Sequence, residues 1–107
     1  TFGFALGLGG TFTEITTSAS YDLNDWYHVV ATYDTSAGQK LYVNGNLVAS
    51  GTTTGAVTTN TGNLYVGSYY SSGYKYSGRL DEFAIFDKVL TPTEVSYLYN
   101  SGTGIFY

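Results

Sequence analysis

Apolar side chains recur at every second position where the chain begins: Phe2, Phe4, Leu6 and Leu8 alternate with Gly3, Ala5, Gly7 and Gly9. A period of two sends alternate side chains to opposite faces, which predicts a strand with one apolar face and one nearly bare one. Gly9-Gly10 turns the chain. Residues 12–17 read as a weaker strand in which Phe12 and Ile15 fall out of phase, predicting a twist or bulge. After a polar loop at 21–25, residues 26–34 are apolar on both faces, with Trp26 and Val30 on one and Tyr27, Val29, Ala31 and Tyr33 on the other. That pattern predicts a central strand covered on both sides.

A turn at 35–38 leads into Leu41-Tyr42-Val43, then Asn44-Gly45, then Leu47-Val48-Ala49. Asn-Gly between apolar runs predicts a two-residue hairpin, because both residues tolerate the positive φ of a type I′ turn. Residues 51–62 are uncharged and rich in Thr and Gly, a loop or a loop with a weakly specified edge strand. Leu64-Tyr65-Val66 predicts a further strand ending at Gly67. Residues 80–86 predict the last long one, with a bulge near Asp81 and Glu82 where the apolar phase slips. One helix is expected, at about 92–100. Thr91 suits the N-cap, Pro92 the first helical position and Glu94 the third place of a capping box, and Leu90 and Val95 stand at staple positions. Val95, Leu98 and Tyr99 form its inward stripe, and Asn100-Ser101-Gly102 ends it. About two turns do not hold alone in water, so this helix must pack on the sheets. The sum is an all-β, antiparallel β-sandwich with one short C-terminal helix, in a single domain over 1–107.

Composition narrows the function. Strand formers and turn glycines dominate, with 12 tyrosines and 14 glycines among 107 residues. Four basic against 8 acidic residues give a net charge of −4, which argues against a nucleic-acid partner. No cysteine is present, which removes disulfides and thiolate chemistry, and one histidine excludes schemes that need two. No apolar run nears the roughly 18 residues of a membrane span, so membrane insertion is not expected. The chain starts at Thr1 and contains no methionine, as expected of a processed product or a piece of a longer polypeptide. A charge-poor surface of Ser, Thr, Tyr, Gly and Asn suggests an extracellular, secreted or particle-surface setting.

The functional candidates with the clearest signal are Tyr69, Tyr70, Tyr74 and Tyr76. They are interleaved with Ser71, Ser72 and Gly73, which offers flat faces and hydroxyls for a glycan or protein ligand. The competing reading has two of them capping the fold and two merely exposed. The bare face of the first strand is either a shallow groove for a glycan or a surface under another strand. His28 and Trp26 read as packed residues, Trp26 as a core anchor. Asp22, Asn24 and Asp25 suit a cation or, at less cost, turn chemistry.

Five pieces of the chain, in this order, resemble the C-terminal half of a laminin G-like domain, in the concanavalin A-like lectin/glucanase group of jelly rolls. They are Trp26 with His28-Val29-Val30 through Tyr33-Asp34; Leu41-Tyr42-Val43-Asn44-Gly45; Leu64-Tyr65-Val66-Gly67; Gly78-Arg79-Leu80-Asp81-Glu82-Phe83-Ala84-Ile85-Phe86; and Leu90-Thr91 with Glu94, Leu98-Tyr99-Asn100 and Gly102. The match spans roughly residues 21–102. It implies a partial sandwich whose usual N-terminal strands lie outside this chain, with open edges that pair with those strands or self-assemble. It also implies that Asp81 helps hold a structural Ca2+, the alternative being an Asp81 that accepts hydrogen bonds from turn amides. Some relatives of the fold hydrolyse glycans, but adjacent Asp81 and Glu82 point to opposite faces of a strand and cannot flank one bond, so no enzyme is expected. The function implied is a noncatalytic carbohydrate-binding or adhesion module. The alternative is a structural segment of an extracellular assembly such as a virion, appendage or surface layer.

Overall fold

The computed structural model describes residues 1–69 and 73–105. Strands β1 (Gly3–Leu8) and β2 (Thr11–Thr16) form an antiparallel hairpin around Gly9-Gly10, both at positive φ. Its register runs without a break from Gly3 opposite Thr16 to Leu8 opposite Thr11. The bulge expected in β2 is therefore absent. Phe12 keeps strict alternation by facing solvent opposite Gly7, while Ile15 is buried.

Strands β3 (Val29–Asp34), β4 (Gly38–Val43) and β5 (Asn46–Gly51) form a second antiparallel sheet in the order β3-β4-β5. The Asp34 carboxylate closes the β3–β4 turn by accepting from the amides of Ser36 (2.7 Å) and Ala37 (3.2 Å). Asn44 and Gly45 close the β4–β5 hairpin at φ 50° and 79°, the expected type I′ signature. The central strand is β4. The strand expected to be central starts only at Val29 and lies at the sheet edge, with Val29 and Ala31 exposed.

Both faces of β4 are covered, and its alternation explains how. Gln39, Leu41 and Val43 turn toward the β1–β2 hairpin, and the buried Gln39 Nε2 donates to the Phe4 carbonyl at 3.0 Å. Tyr42 turns the other way, into a core cluster with Leu90 and Val95, flanked by Val30 and Leu98. Helix α1 (Pro92–Tyr99) supplies Val95. It begins as expected: Thr91 Oγ1 accepts from the Glu94 amide and the Glu94 carboxylate accepts from the Thr91 amide, a complete capping box. Lys88 pairs with Glu94, and Asn100 ends the helix in the left-handed conformation.

Residues 51–62 are the loop with a marginal edge strand that their composition suggests. Val57 bridges Leu8, and the Thr58 amide donates to the Gly7 carbonyl at 2.7 Å. A methyl at Gly7 would come within 3.3 Å of Thr58, so the bare face of β1 is partly occupied there.

The chain is thus an all-β antiparallel fold, a partial jelly roll carrying one short helix. Two expected strands are missing from it. Residues 64–66 and 80–86 lie outside any strand, and Leu64, Val66, Leu80, Phe83 and Ile85 are exposed. A strand exists only when a neighbour completes its ladder, and among the described residues no strand pairs with either segment. Pairing resumes only at the short hairpin of β6 (Ser68–Tyr69) and β7 (Gly73–Lys75).

Gly38 holds φ at 86°, and a Cβ there would lie 2.1 Å from the Gly51 carbonyl oxygen. Gly38→Ala is expected to cost roughly 2–4 kcal/mol from backbone strain and overlap. Thr91→Ala is expected to cost about 1 kcal/mol from the lost cap. Urea denaturation of both variants measures the difference.

Candidate functional site

The four tyrosines picked out by sequence do not form one surface. Tyr69 on β6 and Tyr74 on β7 come together, ring centroids 6.3 Å apart and tilted 51°. Tyr74, in the middle of β7, is 85% exposed and holds a positive φ of 30°. Tyr70 lies outside the described residues. Tyr76 leaves the hairpin: its amide donates to the Gly67 carbonyl at 2.7 Å, and its exposed side chain lines a cleft with residues from the other end of the chain.

That cleft has a volume of about 690 Å³ and lies between residues 21–27 and 76–79, with Phe2 at its base. Phe2, Tyr21 and Tyr27 pack against one another, with centroid separations of 4.8, 5.8 and 5.1 Å and edge-on or tilted rings. Such geometry suits the ring quadrupoles and fixes the three side chains as a unit. The Tyr27 hydroxyl accepts from the Asp22 amide at 3.0 Å and so ties the ring to its own loop. Asn24 turns that loop at φ 69°.

Trp26 lines the same cleft and is 63% exposed. It is not the core anchor its position suggested. The ladder of β3 begins three residues later, so no sheet face holds the indole inward. The signal that could have revealed this is the Asp-Leu-Asn-Asp turn immediately before it, which delays the start of the strand.

His28 is packed, as expected. Its amide donates to Asn44 Oδ1 at 2.9 Å, the Asn44 amide donates back to the His28 carbonyl at 2.8 Å, and its ring lies 5.9 Å from that of Tyr99. Nδ1 is buried without a hydrogen-bond partner among the described residues, and burial holds the imidazole pKa below its ordinary value.

Asp81 and Glu82 are both exposed, and Asp81 Oδ1 accepts from the Glu82 amide at 2.9 Å. This is the turn-amide contact weighed against calcium. Calcium takes six to eight oxygen ligands. No group of three or more His, Cys, Asp or Glu side chains gathers among the described residues, so Asp81 offers one carboxylate and not a cage.

Comparison with known proteins widens this picture. A laminin G family model, described as Concanavalin A-like lectin/glucanases superfamily, matches residues 1–96, so the likeness begins at the first strand and not near residue 21. The chain is 36% identical over 84 residues to adhesion G-protein coupled receptor D1 of Homo sapiens. It is 35% identical over 85 residues to botulinum neurotoxin type E of Clostridium butyricum. Each match covers 74% of this chain but only 10% and 6% of those proteins. Among solved structures, an S-layer domain-containing protein (residues 221-444) from Clostridium thermocellum ATCC 27405 superposes with a TM-score of 0.65 at 26% identity, over 91% of this chain and 50% of that one. No helix among the described residues is long and apolar enough to cross a membrane.

The buried imidazole yields a pH prediction. A folded-state pKa held below the unfolded one means that the unfolded chain binds the proton first as pH falls. The contribution of His28 is thus complete above about pH 6.5 and declines as pH drops below it. Urea midpoints measured from pH 7.5 to 5 are expected to fall for the native chain and to stay nearly level for His28→Gln.

Proposed function

The chain belongs to the laminin G-like group of the concanavalin A-like lectin/glucanases superfamily, and we propose that it is a noncatalytic recognition module binding a carbohydrate or protein ligand for adhesion outside the cell. The observation that carries this reading is the set of large aromatic side chains displayed to solvent on loops (Trp26 and Tyr76) and on the short strands β6 and β7 (Tyr69 and Tyr74). Exposed aromatic surface of this kind supplies contact area at little conformational cost. Tyr69, Tyr70, Tyr74 and Tyr76 are the proposed contact residues. The likeness to an adhesion receptor, a neurotoxin and an S-layer protein supports a surface or secreted setting. Asp81 is the proposed ligand for a structural calcium, its carboxylate supplying part of the oxygen set the ion needs.

A second reading is favoured by a separate observation. Leu64, Val66, Leu80, Phe83 and Ile85 are apolar, exposed and unpaired by any ladder. In an assembly they would become strands by pairing with segments supplied from outside, the β-augmentation mode. The likeness to an S-layer protein is consistent with that role.

On an immobilised glycan array the folded chain is expected to be retained selectively. Absence of retention on every glycan, with folding verified by circular dichroism, would remove carbohydrate from the reading. Sedimentation velocity separates the second role: association that rises with concentration supports assembly, and a strict monomer at high concentration defeats it.

A further inference from the structure

We propose that the cleft between residues 21–27 and 76–79 is the carbohydrate site of this module and that it selects an uncharged oligosaccharide. The proposal rests on the recognition reading above and goes beyond it in naming the place and the ligand class. Its size, about 690 Å³, falls within the range of ligand-binding clefts and suits a few sugar rings rather than a protein surface. A protein partner would need roughly 800 Å² of contact on each side.

The walls have the chemistry a sugar needs. Trp26 contributes an exposed aromatic face from one side and Tyr76 from the other. The negative face of such a ring attracts the weakly positive C–H groups on the flat side of a pyranose. Neither ring is free to retreat into the core, whose positions belong to other side chains. Beneath them Phe2, Tyr21 and Tyr27 brace one another, so the floor is formed before any ligand arrives. A prebuilt floor lowers the ordering cost of binding.

The polar groups decide the class of sugar. Asp22 and Asp25 offer carboxylate acceptors, Asn24 an amide that both donates and accepts, and Arg79 a guanidinium donor. Sugar hydroxyls donate and accept, and so complement this mixture. Sulfated or polycarboxylated chains do not: Arg79 and the Thr1 ammonium are matched by two carboxylates, which leaves no excess of cations in the cleft, and the whole chain carries −4. That field repels anions. Among the tyrosines singled out by sequence, Tyr76 enters this cleft, while Tyr69 and Tyr74 line no part of it and remain for protein contacts.

The chain contains one tryptophan, and it stands in the cleft. Its emission therefore reports occupancy directly. The folded chain is screened against neutral tetrasaccharides (cellotetraose, chitotetraose and lacto-N-tetraose among them) and against a heparin tetrasaccharide, and each hit is titrated by fluorescence and by calorimetry. The expected result is binding of a neutral glycan with a blue shift of Trp26 emission. By calorimetry, affinity is expected to fall about tenfold or more in Trp26→Ala and in Tyr76→Ala and to be unchanged in Tyr97→Ala, an exposed tyrosine of α1 that lines no part of the cleft. All three side chains are exposed, so the variants should fold, as circular dichroism verifies. Neutral-glycan binding with unshifted emission and full affinity in Trp26→Ala and Tyr76→Ala overturns the cleft and leaves the recognition reading standing. Preference for heparin overturns the charge argument. No binding to any glycan overturns the cleft proposal and removes carbohydrate from the recognition reading, leaving a protein ligand to it.

Discussion

A glutamine side chain with no solvent exposure joins the N-terminal hairpin to the three-stranded sheet. From β4 Gln39 reaches the backbone of the N-terminal hairpin, donating to Phe4 at 3.0 Å, with Thr13 at 3.5 Å beside it. A buried amide that lost this partner would keep its desolvation cost without return, so the hairpin is held to one position over β4. Around that link the apolar fit is close. A methyl on Gly51 would come within 2.8 Å of Ile15, so the hairpin rests directly on the backbone of β5. The opposite face of β4 receives the helix through Tyr42, Leu90 and Val95. One strand thus carries a layer on each side, and the rest of the fold is arranged about it.

The same economy explains what stays open. The core is small and lies around β4. The segments 64–66 and 80–86 keep strand-like apolar patterns but have no ladder to join among the described residues. Apolar surface displayed in this way marks sites of interaction. Tyr69 and Tyr74 on the neighbouring β6–β7 pair share that exposure.

Sequence periodicity was sufficient where structure is local. The alternation of β1, the Asn44-Gly45 turn, the Thr91 cap, the Leu90–Val95 staple and the Asn100 terminus all depend on residues a few positions apart, and each is found where the pattern puts it. It was insufficient where a neighbour decides. The strand expected within 26–34 lies at the edge because β4 takes the central place, with Gln39 fully buried and its Nε2 donating to the Phe4 carbonyl. Exposure of the tyrosines was legible from composition. The cleft was not, because it joins Phe2, Trp26 and Tyr76, which are far apart in sequence and meet only through the tertiary fold.

The Asn44-Gly45 turn has a consequence for the chemical ageing of the molecule. An asparagine followed by glycine is prone to cyclise, the glycine nitrogen attacking the side-chain carbonyl carbon with loss of ammonia. In the folded chain that carbonyl oxygen is held by the His28 amide at 2.9 Å, and the hydrogen bond opposes the rotation the attack requires. Unfolding releases it. Each excursion from the native state therefore exposes the turn to conversion of Asn44 into an acidic residue beside the packed imidazole, so that conformational stability also sets the shelf life of the covalent chain.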